Sequence, residues 1–417
     1  MSNARRVLHV VPYFEGADAY GGIPRVAAGL TRALVDRGHE ITVCTTDARD
    51  ARRRHPGSGH VLLSHAGVRT LVFRNLHNRL AFDQVFLAPG AWLWLTRHVQ
   101  DFDLLHLHGH RHLCNEVAAS AARAAGVPYV LHANGTLPRI ERRQRLKVIY
   151  DRLVADATVH GCARALAVSA AEEAQYCAAG LDNGRIALLP NGVDLAEFEG
   201  LANRGEAATA RRGWRSDGNG RHTLRERLGI DGAPLVAFLG KATPRKEVAT
   251  LVDALDRDGL HSAHLVVAGS DMGGLAAARS RARALRIEGR VHFIGPLEGR
   301  ARLQPLHEAD VVAYPGQDEI FGLVAFEALL CGTPVVVADD SGCGEWIGGQ
   351  GLGETVPPGD PGALADRLAR VLRDRRSAAA QVRRGQRWIR ENLTWSRLAA
   401  ELEQVYEGML ESLVVGR

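Results

Sequence analysis

Lysine is almost missing from this chain. Of 52 basic residues in 417, only Lys147, Lys241 and Lys246 are lysines; the rest are arginines. Cysteine is sparse too: Cys44, Cys114, Cys162, Cys177, Cys331 and Cys343 are scattered, with no C-x-x-C. That spacing excludes a disulfide framework and a cysteine metal site, and it reads as a reduced, cytoplasmic chain. Long apolar runs are absent as well. A spanning helix needs about 18 consecutive apolar residues, and the most apolar segment, VFLAPGAWLWL from Val85, is shorter and is broken at Pro89-Gly90. The opening MSNARRVLHVVPYF runs straight into a strand, without the apolar core and cleavage site of a signal peptide.

What is present points to a globular α/β chain. Hydrophobic residues make up 46% and charged ones 24%, which excludes a disordered chain. The length suits about two to three domains. A net charge of +5 and a pI near 9.0 favour anionic partners without choosing among nucleotide, nucleic acid and membrane surface. Apolar strands are predicted at Val7–Tyr13, Ile41–Thr45, Leu71–Phe73, Leu104–Leu107, Tyr129–His132, Ala165–Val168 and Ile186–Leu189. Helices such as Pro24–Arg37 and Arg111–Ala125 are predicted between them. This alternation predicts a parallel, doubly wound sheet, whose ligands bind at the carboxyl ends of its strands.

The most informative stretch is ADVVAYPGQDEIFGLVAFEALLCGTPVVVADDSGCGEWI from Ala309. It predicts a strand at Val311–Tyr314, a loop, a helix at Phe321–Leu330, a turn at Gly332 and a strand at Pro334–Ala338. Glu319 and Glu327 bracket the loop and helix. On one straight helix they would lie ~12 Å apart and be turned by roughly 80°. They would then hold separate parts of an elongated ligand rather than share a proton or metal. Between them the first N–H groups of the helix, near Phe321, Gly322 and Leu323, face where an anion would sit. Gly322 would let a ligand approach the backbone. Glu327 stands in VAFEALL, where an unpaired carboxylate is costly. Upstream, PLVAFLGKATPRKEVATLVDAL from Pro234 places Lys241 and Lys246 around a loop between a buried strand and a helix. Strand end, glycine, two cations and helix N-terminus form a phosphate-binding arrangement.

E-I-F-G-L-V-A-F-E followed by A-L-L-C-G-T-P-V-V-V resembles the Glu-x7-Glu signature of the retaining GT-B glycosyltransferases, family 4. Further matches are Gly21-Gly22 with DRGHEITV from Asp36, the strand end at His132, and P-N-G-V-D from Pro190. Another is G-K-x4-K from Gly240. The family has Arg and Gly where this chain has Lys241 and Glu247, and Gly or Asp where it has Ala133. The resemblance covers the chain apart from residues 199–224, which lose all hydrophobic periodicity and read as a mobile insertion.

The resemblance implies two Rossmann-like domains facing a cleft. Residues 1–187 would form the acceptor domain and 188–395 the nucleotide-sugar donor domain, with 396–417 crossing back to the first. Lys241 and Lys246 would clamp the donor diphosphate, Glu319 the sugar hydroxyls and Glu327 the ribose hydroxyls. Phe321, Gly322 and Leu323 would face the phosphate, Leu297 the base, and Gly21 and Gly22 would lie over the phosphates. His132 would position the sugar. The catalytic candidates are therefore His132, Lys246 and Glu319. No covalent nucleophile stands out, so the resemblance implies front-face substitution with retention, the leaving phosphate taking the acceptor proton. No metal or other cofactor is expected, because lysines and helix dipoles stabilise the leaving charge. The implied acceptor is a glycan or lipid-linked hydroxyl in cell-surface or exopolysaccharide synthesis, at the inner face of the cell membrane.

Three features invite other chemistry. Asp101-Phe102-Asp103 spells the D-x-D of metal-dependent transferases, but it precedes the strand LLHLHG and so stands at the wrong sheet edge. His106, His108, His110 and His112 alternate as if to ligate a metal. Only the first two fall on the strand, facing one side, which favours satisfied or pocket-lining histidines. A segment from Arg139 carries Arg139, Arg142, Arg143, Arg145 and Lys147 at the start of a predicted helix, against its dipole. It fits an anionic membrane surface or a solvated arginine-rich face. No nucleic-acid partner is expected. Two rival functions remain: a GT-B epimerase, disfavoured by the F-G and E-A context of the two acids, and a non-catalytic nucleotide-sugar binding subunit.

Overall fold

The computed structural model describes residues 4–17, 20–55, 61–63, 66–82, 84–139, 144–201, 223–230 and 232–415. Most of the 199–224 insertion, with Arg142 and Arg143 of the basic segment, lies outside them. The chain divides into two compact units: Met1–Gly192 with Leu393–Arg417, and Val193–Asn392.

The first unit holds strands β1 (Arg6–Val10), β2 (Glu40–Thr46), β3 (Val61–Leu63), β4 (Arg69–Phe73), β5 (Leu104–His108), β6 (Tyr129–His132), β7 (Arg164–Ala167) and β8 (Ile186–Leu188). They form one sheet in the order β3-β4-β2-β1-β5-β6-β7-β8. All neighbours are parallel except β3, an antiparallel edge strand of three residues that hydrophobic patterning does not reveal. The strands read as apolar runs because both faces are covered: β5 and β6 are buried throughout. The strand expected to Tyr13 ends at Val10, because Pro12 has no N–H with which to extend the ladder. The helix expected from Arg111 begins at Leu113. Arg111 sits at φ +64°, outside helical geometry, and its guanidinium binds Asp151 and the carbonyl of Thr136.

The last helix, Trp395–Val415, packs on the helix Ile23–Asp36, and its Leu398, Leu402, Tyr406 and Met409 share a core with Val7, Leu30 and Leu34. Its Glu403 forms an ion pair with Arg37 and a hydrogen bond with His39 Nε2 at 2.8 Å. The R-G-H of the DRGHEITV motif is thus an anchor for the chain's end.

The second unit is a six-stranded parallel sheet of β9 (Leu235–Leu239), β10 (His264–Ala268), β11 (Val291–Gly295), β12 (Val311–Tyr314), β13 (Val335–Ala338) and β14 (Glu354–Val356). Their order is β11-β10-β9-β12-β13-β14. Strand order reverses between β9 and β12, and in open α/β sheets the carboxyl ends of the strands at such a switch point are where ligands bind. Both acids and both lysines singled out in the sequence lie after β9 or β12.

Candidate active site

In the second unit the β9 and β12 loops are tied to each other. The backbone N–H of Gln317 donates to the Arg245 carbonyl at 2.9 Å. Arg245 in turn donates to the carbonyls of Gln317 at 2.6 Å and Asp318 at 2.8 Å. Gln317 Nε2 donates to Glu247 Oε1 at 2.7 Å. Glu247 itself adopts φ +56°, a left-handed conformation that glycine enters without penalty. The glycine usual at this family position therefore has a backbone reason. Here the strain is offset by the bonds of Glu247 to Gln317 and Thr250.

These ties bring Lys246 and Glu319 together. Lys246 Nζ, buried, forms an ion pair with Glu319 Oε2. It also donates to Tyr314 Oη at 2.7 Å and lies 4.6 Å from the centre of that ring. Burial pushes the Tyr314 phenol above its usual pKa, so the hydroxyl stays neutral and its oxygen accepts a hydrogen bond from the ammonium. Lys241 stands half-buried at the start of the same loop.

Glu327 is almost wholly buried, and its cost is met by Arg302, whose Nη2 lies 3.1 Å from Oε1. Glu197 pairs with the same guanidinium. Burial disfavours the Arg302 charge, but Glu327 and Glu197 outweigh it and hold its pKa above the ordinary value. Arg302 lies in the turn after β11, well upstream, and no local pattern marks it as a partner.

The helix expected from Phe321 starts at Leu323, with Gly322 as its N-cap at φ +71°. Glu319 therefore lies in the preceding loop, not on the helix. A Cβ on Gly322 would meet Cys343 Sγ at 2.4 Å and Cβ at 3.0 Å. The glycine makes room for the chain's own Cys343, a packing reason the sequence does not show. Gly322→Ala is expected to lower stability by about 2 kcal/mol, from backbone strain and overpacking together. A thermal melt that matches the wild type would contradict this. Leu297, half-buried, follows β11 in a loop.

The first unit brings its histidines together through sheet register. His9 pairs with His106 across β1 and β5, and His108 with His132 across β5 and β6. His106 and His108 are two apart on one strand, so all four share one sheet face. His9 was missed in the sequence, although the same alternation would have exposed it. His106 and His108 stack at 4.4 Å with planes 9° apart, and His9 stacks on both. Nitrogens of His9, His106 and His108 lie within 4.8 Å of one another. His9 Nδ1 and His108 Nε2 lie 2.9 Å apart, at hydrogen-bond distance, so these two nitrogens satisfy each other.

Burial lowers the pKa of His132 to about 3, and of His9 to about 3 with help from His132 and His39. His132 ends its strand. The following turn, Asn134 at φ +52° and Gly135 at φ +78°, is held by buried Glu172, which accepts N–H bonds from Gly135 and Val168. Gly21, at φ +100°, and Gly22 lead into the helix Ile23–Asp36. At the opposite sheet edge Asp103 accepts from the Arg6 backbone N–H at 2.8 Å, a structural use of the D-x-D. Arg139, although exposed, pairs with buried Asp151 at 2.6 Å. Arg145, Ile149, Arg152 and Leu153 are exposed.

The sequence model "Glycosyl transferases group 1" matches residues 220–388, and "Glycosyltransferase Family 4" matches residues 20–197. The chain belongs to this family of GT-B glycosyltransferases. A D-inositol 3-phosphate glycosyltransferase of Xylanimonas cellulosilytica is 30% identical, the alignment covering 96% of this chain and 94% of the relative. One of the same name from Corynebacterium efficiens is 27% identical over 96% and 93%. Among solved structures, Anabaena HepE in complex with UDP and glucose shares the fold at TM-score 0.73 and 20% identity, over 97% of this chain and 99% of that one. Sucrose-phosphate synthase of Thermosynechococcus elongatus does so at 0.72 and 20%, over 98% and 100%. Among the described residues of this glycosyltransferase, no helix is long and apolar enough to cross a membrane.

Proposed function

We propose that this glycosyltransferase transfers a sugar from a nucleoside diphosphate sugar to an acceptor hydroxyl with retention, without a metal. The observation that carries this is the buried Lys246–Glu319 pair at the β9–β12 switch point, beside the N-terminus of the Leu323–Leu330 helix. Its resting ion pair keeps a cation desolvated and in place. An incoming diphosphate competes for Lys246, and Glu319 is released to accept hydrogen bonds from sugar hydroxyls. Lys246, Lys241 and the helix N–H groups then stabilise charge growing on the departing diphosphate. Glu327, held rigid by Arg302, accepts from the ribose hydroxyls, and Leu297 lies along the base. His132 holds a hydroxyl of the transferred sugar, and the loop at Gly21 and Gly22 lies against the donor. No side chain is assigned as a covalent nucleophile; the leaving phosphate takes the acceptor proton.

For the acceptor, the relatives' name favours a phosphorylated inositol. A second reading, a lipid-linked glycan at an anionic membrane, is favoured by the exposed Arg145, Ile149, Arg152 and Leu153. Assaying UDP-, GDP-, ADP- and TDP-sugars against inositol 3-phosphate and against lipid-linked glycans in anionic vesicles separates the two. Transfer with an unchanged anomeric configuration by proton NMR supports retention. Nucleotide binding with no turnover on any pair would establish the non-catalytic reading instead. Glu327→Gln keeps the side-chain volume but weakens the acceptor, and is expected to raise the Kd for nucleoside diphosphate about tenfold, the equivalent of ~1.4 kcal/mol. An unchanged Kd would remove Glu327 from the ribose site.

A further inference from the structure

Tyr406, on the C-terminal helix, reaches into the histidine cluster of the first unit. Its hydroxyl lies 2.6 Å from His106 Nδ1, and His106 Nε2 lies 3.4 Å from His132 Nδ1. All three side chains are essentially sealed from solvent, with relative exposures of 1%, 0% and 1%. His132 Nε2 has no hydrogen-bond partner among the described residues. Burial holds the phenol and both imidazoles in their neutral forms. Each ring therefore carries one proton, and only two arrangements suit the chain.

In the first, Tyr406 donates to His106 Nδ1, His106 Nε2–H donates to His132 Nδ1, and the proton of His132 resides on Nε2. In the second, His132 Nδ1–H donates to His106, and His106 Nδ1–H donates to the Tyr406 oxygen. The first leaves one buried polar group unmet, the Nε2–H of His132. The second leaves two, the phenol proton and the bare His132 Nε2. Unmet buried groups are penalised one by one, so the first arrangement prevails. Stacking of His106 against His9 and His108 also opposes rotation of the central ring.

We propose that Tyr406, acting through His106, is a positioning residue that fixes His132 in its Nε2–H tautomer, so that His132 presents a hydrogen-bond donor to an oxygen of the transferred sugar. The tautomer follows from the resting geometry alone; its use on the sugar rests on the reading of His132 given above. A His132 so fixed has no lone pair facing the ligand. It cannot serve as the base, which agrees with proton transfer to the leaving phosphate.

The test is long-range proton–nitrogen correlation NMR of the 15N-histidine-labelled full chain, with His132→Gln identifying the His132 signals. The expected spectrum shows His132 protonated at Nε2. In Tyr406→Phe, which keeps the ring and is checked by its melting curve, His132 becomes a mixture of tautomers. The same variant is expected to lose about tenfold in kcat through misorientation, with an unchanged Kd for nucleoside diphosphate. A wild-type His132 protonated at Nδ1 overturns the relay whatever the activity. So does a Tyr406→Phe enzyme with the wild-type tautomer and full kcat. If instead the tautomers behave as expected but His132→Gln keeps full turnover, the relay stands and the sugar-binding role of His132 falls.

Discussion

Lys246→Ala is expected to lower the rate of transfer at saturating donor by about 100- to 1000-fold, the usual effect of removing a preorganised group that stabilises developing charge. The ammonium is buried, held by Tyr314 and Glu319, and fixed on a loop tied to its neighbour by Arg245 and Gln317. It needs little reorganisation as the bond to the diphosphate breaks. Charge on the leaving group is greater in the transition state than in the bound donor, so the loss falls mainly on kcat. Nucleotide affinity should weaken much less, since Lys241 and the helix N–H groups remain. Single-turnover kinetics beside a nucleotide titration separate the two effects. A variant with normal kcat and a raised KM would make Lys246 a binding residue only.

The second large effect is on stability in acid, and it belongs to the first unit. His9, His110 and His132 are lowered to about 3 and His112 to about 4, in each case chiefly by burial. His106 and His108 are held well below their ordinary value by burial and by the neighbouring His9 and His132, with His108 also acting on His106. Unfolded, all six would titrate near 6.5. Below that pH the unfolded chain binds protons that the native chain refuses, so stability rises with pH and is lost as pH falls. Burial raises Glu116 and Glu172 to about 7, and these work in the opposite direction between their ordinary value and 7. The histidines outnumber them, and the net of about four protons corresponds to ~5 kcal/mol per pH unit once the unfolded histidines are charged. Against a typical domain stability of about 5–15 kcal/mol, the first unit should lose roughly a third or more of its stability between about pH 6 and pH 5. Calorimetry from pH 7.5 to 5 should show its transition falling steeply. A transition that holds its temperature over that range would contradict the buried neutral cluster.

Much of the fold was legible because parallel strands covered on both faces must be apolar, and their alternation with helices survives in the sequence. Glu319, Glu327, Lys241 and Lys246 were legible through spacing and through the rarity of lysine. What escaped were contacts that join distant segments. Arg302 neutralises Glu327 from the turn after β11. Tyr406 reaches His106 from three hundred residues away. Gly322 makes room for Cys343, which no local pattern could show. The departure at Glu247 was visible as a substitution, but its meaning lies in a positive φ that only the backbone reveals. The partner of the exposed Arg139, Asp151, lies on a later helix and was likewise invisible locally.

The most direct test of the central claim, a metal-independent diphosphate site around Lys246, is a thermal shift against UDP, GDP, ADP and TDP with and without EDTA. One of these should raise the melting temperature of the second unit's transition. At a hundredfold excess over Kd the gain is about 2.7 kcal/mol. The shift should persist in EDTA and shrink in Glu327→Gln. No shift with any nucleotide, or a shift abolished by EDTA, would contradict the site as assigned.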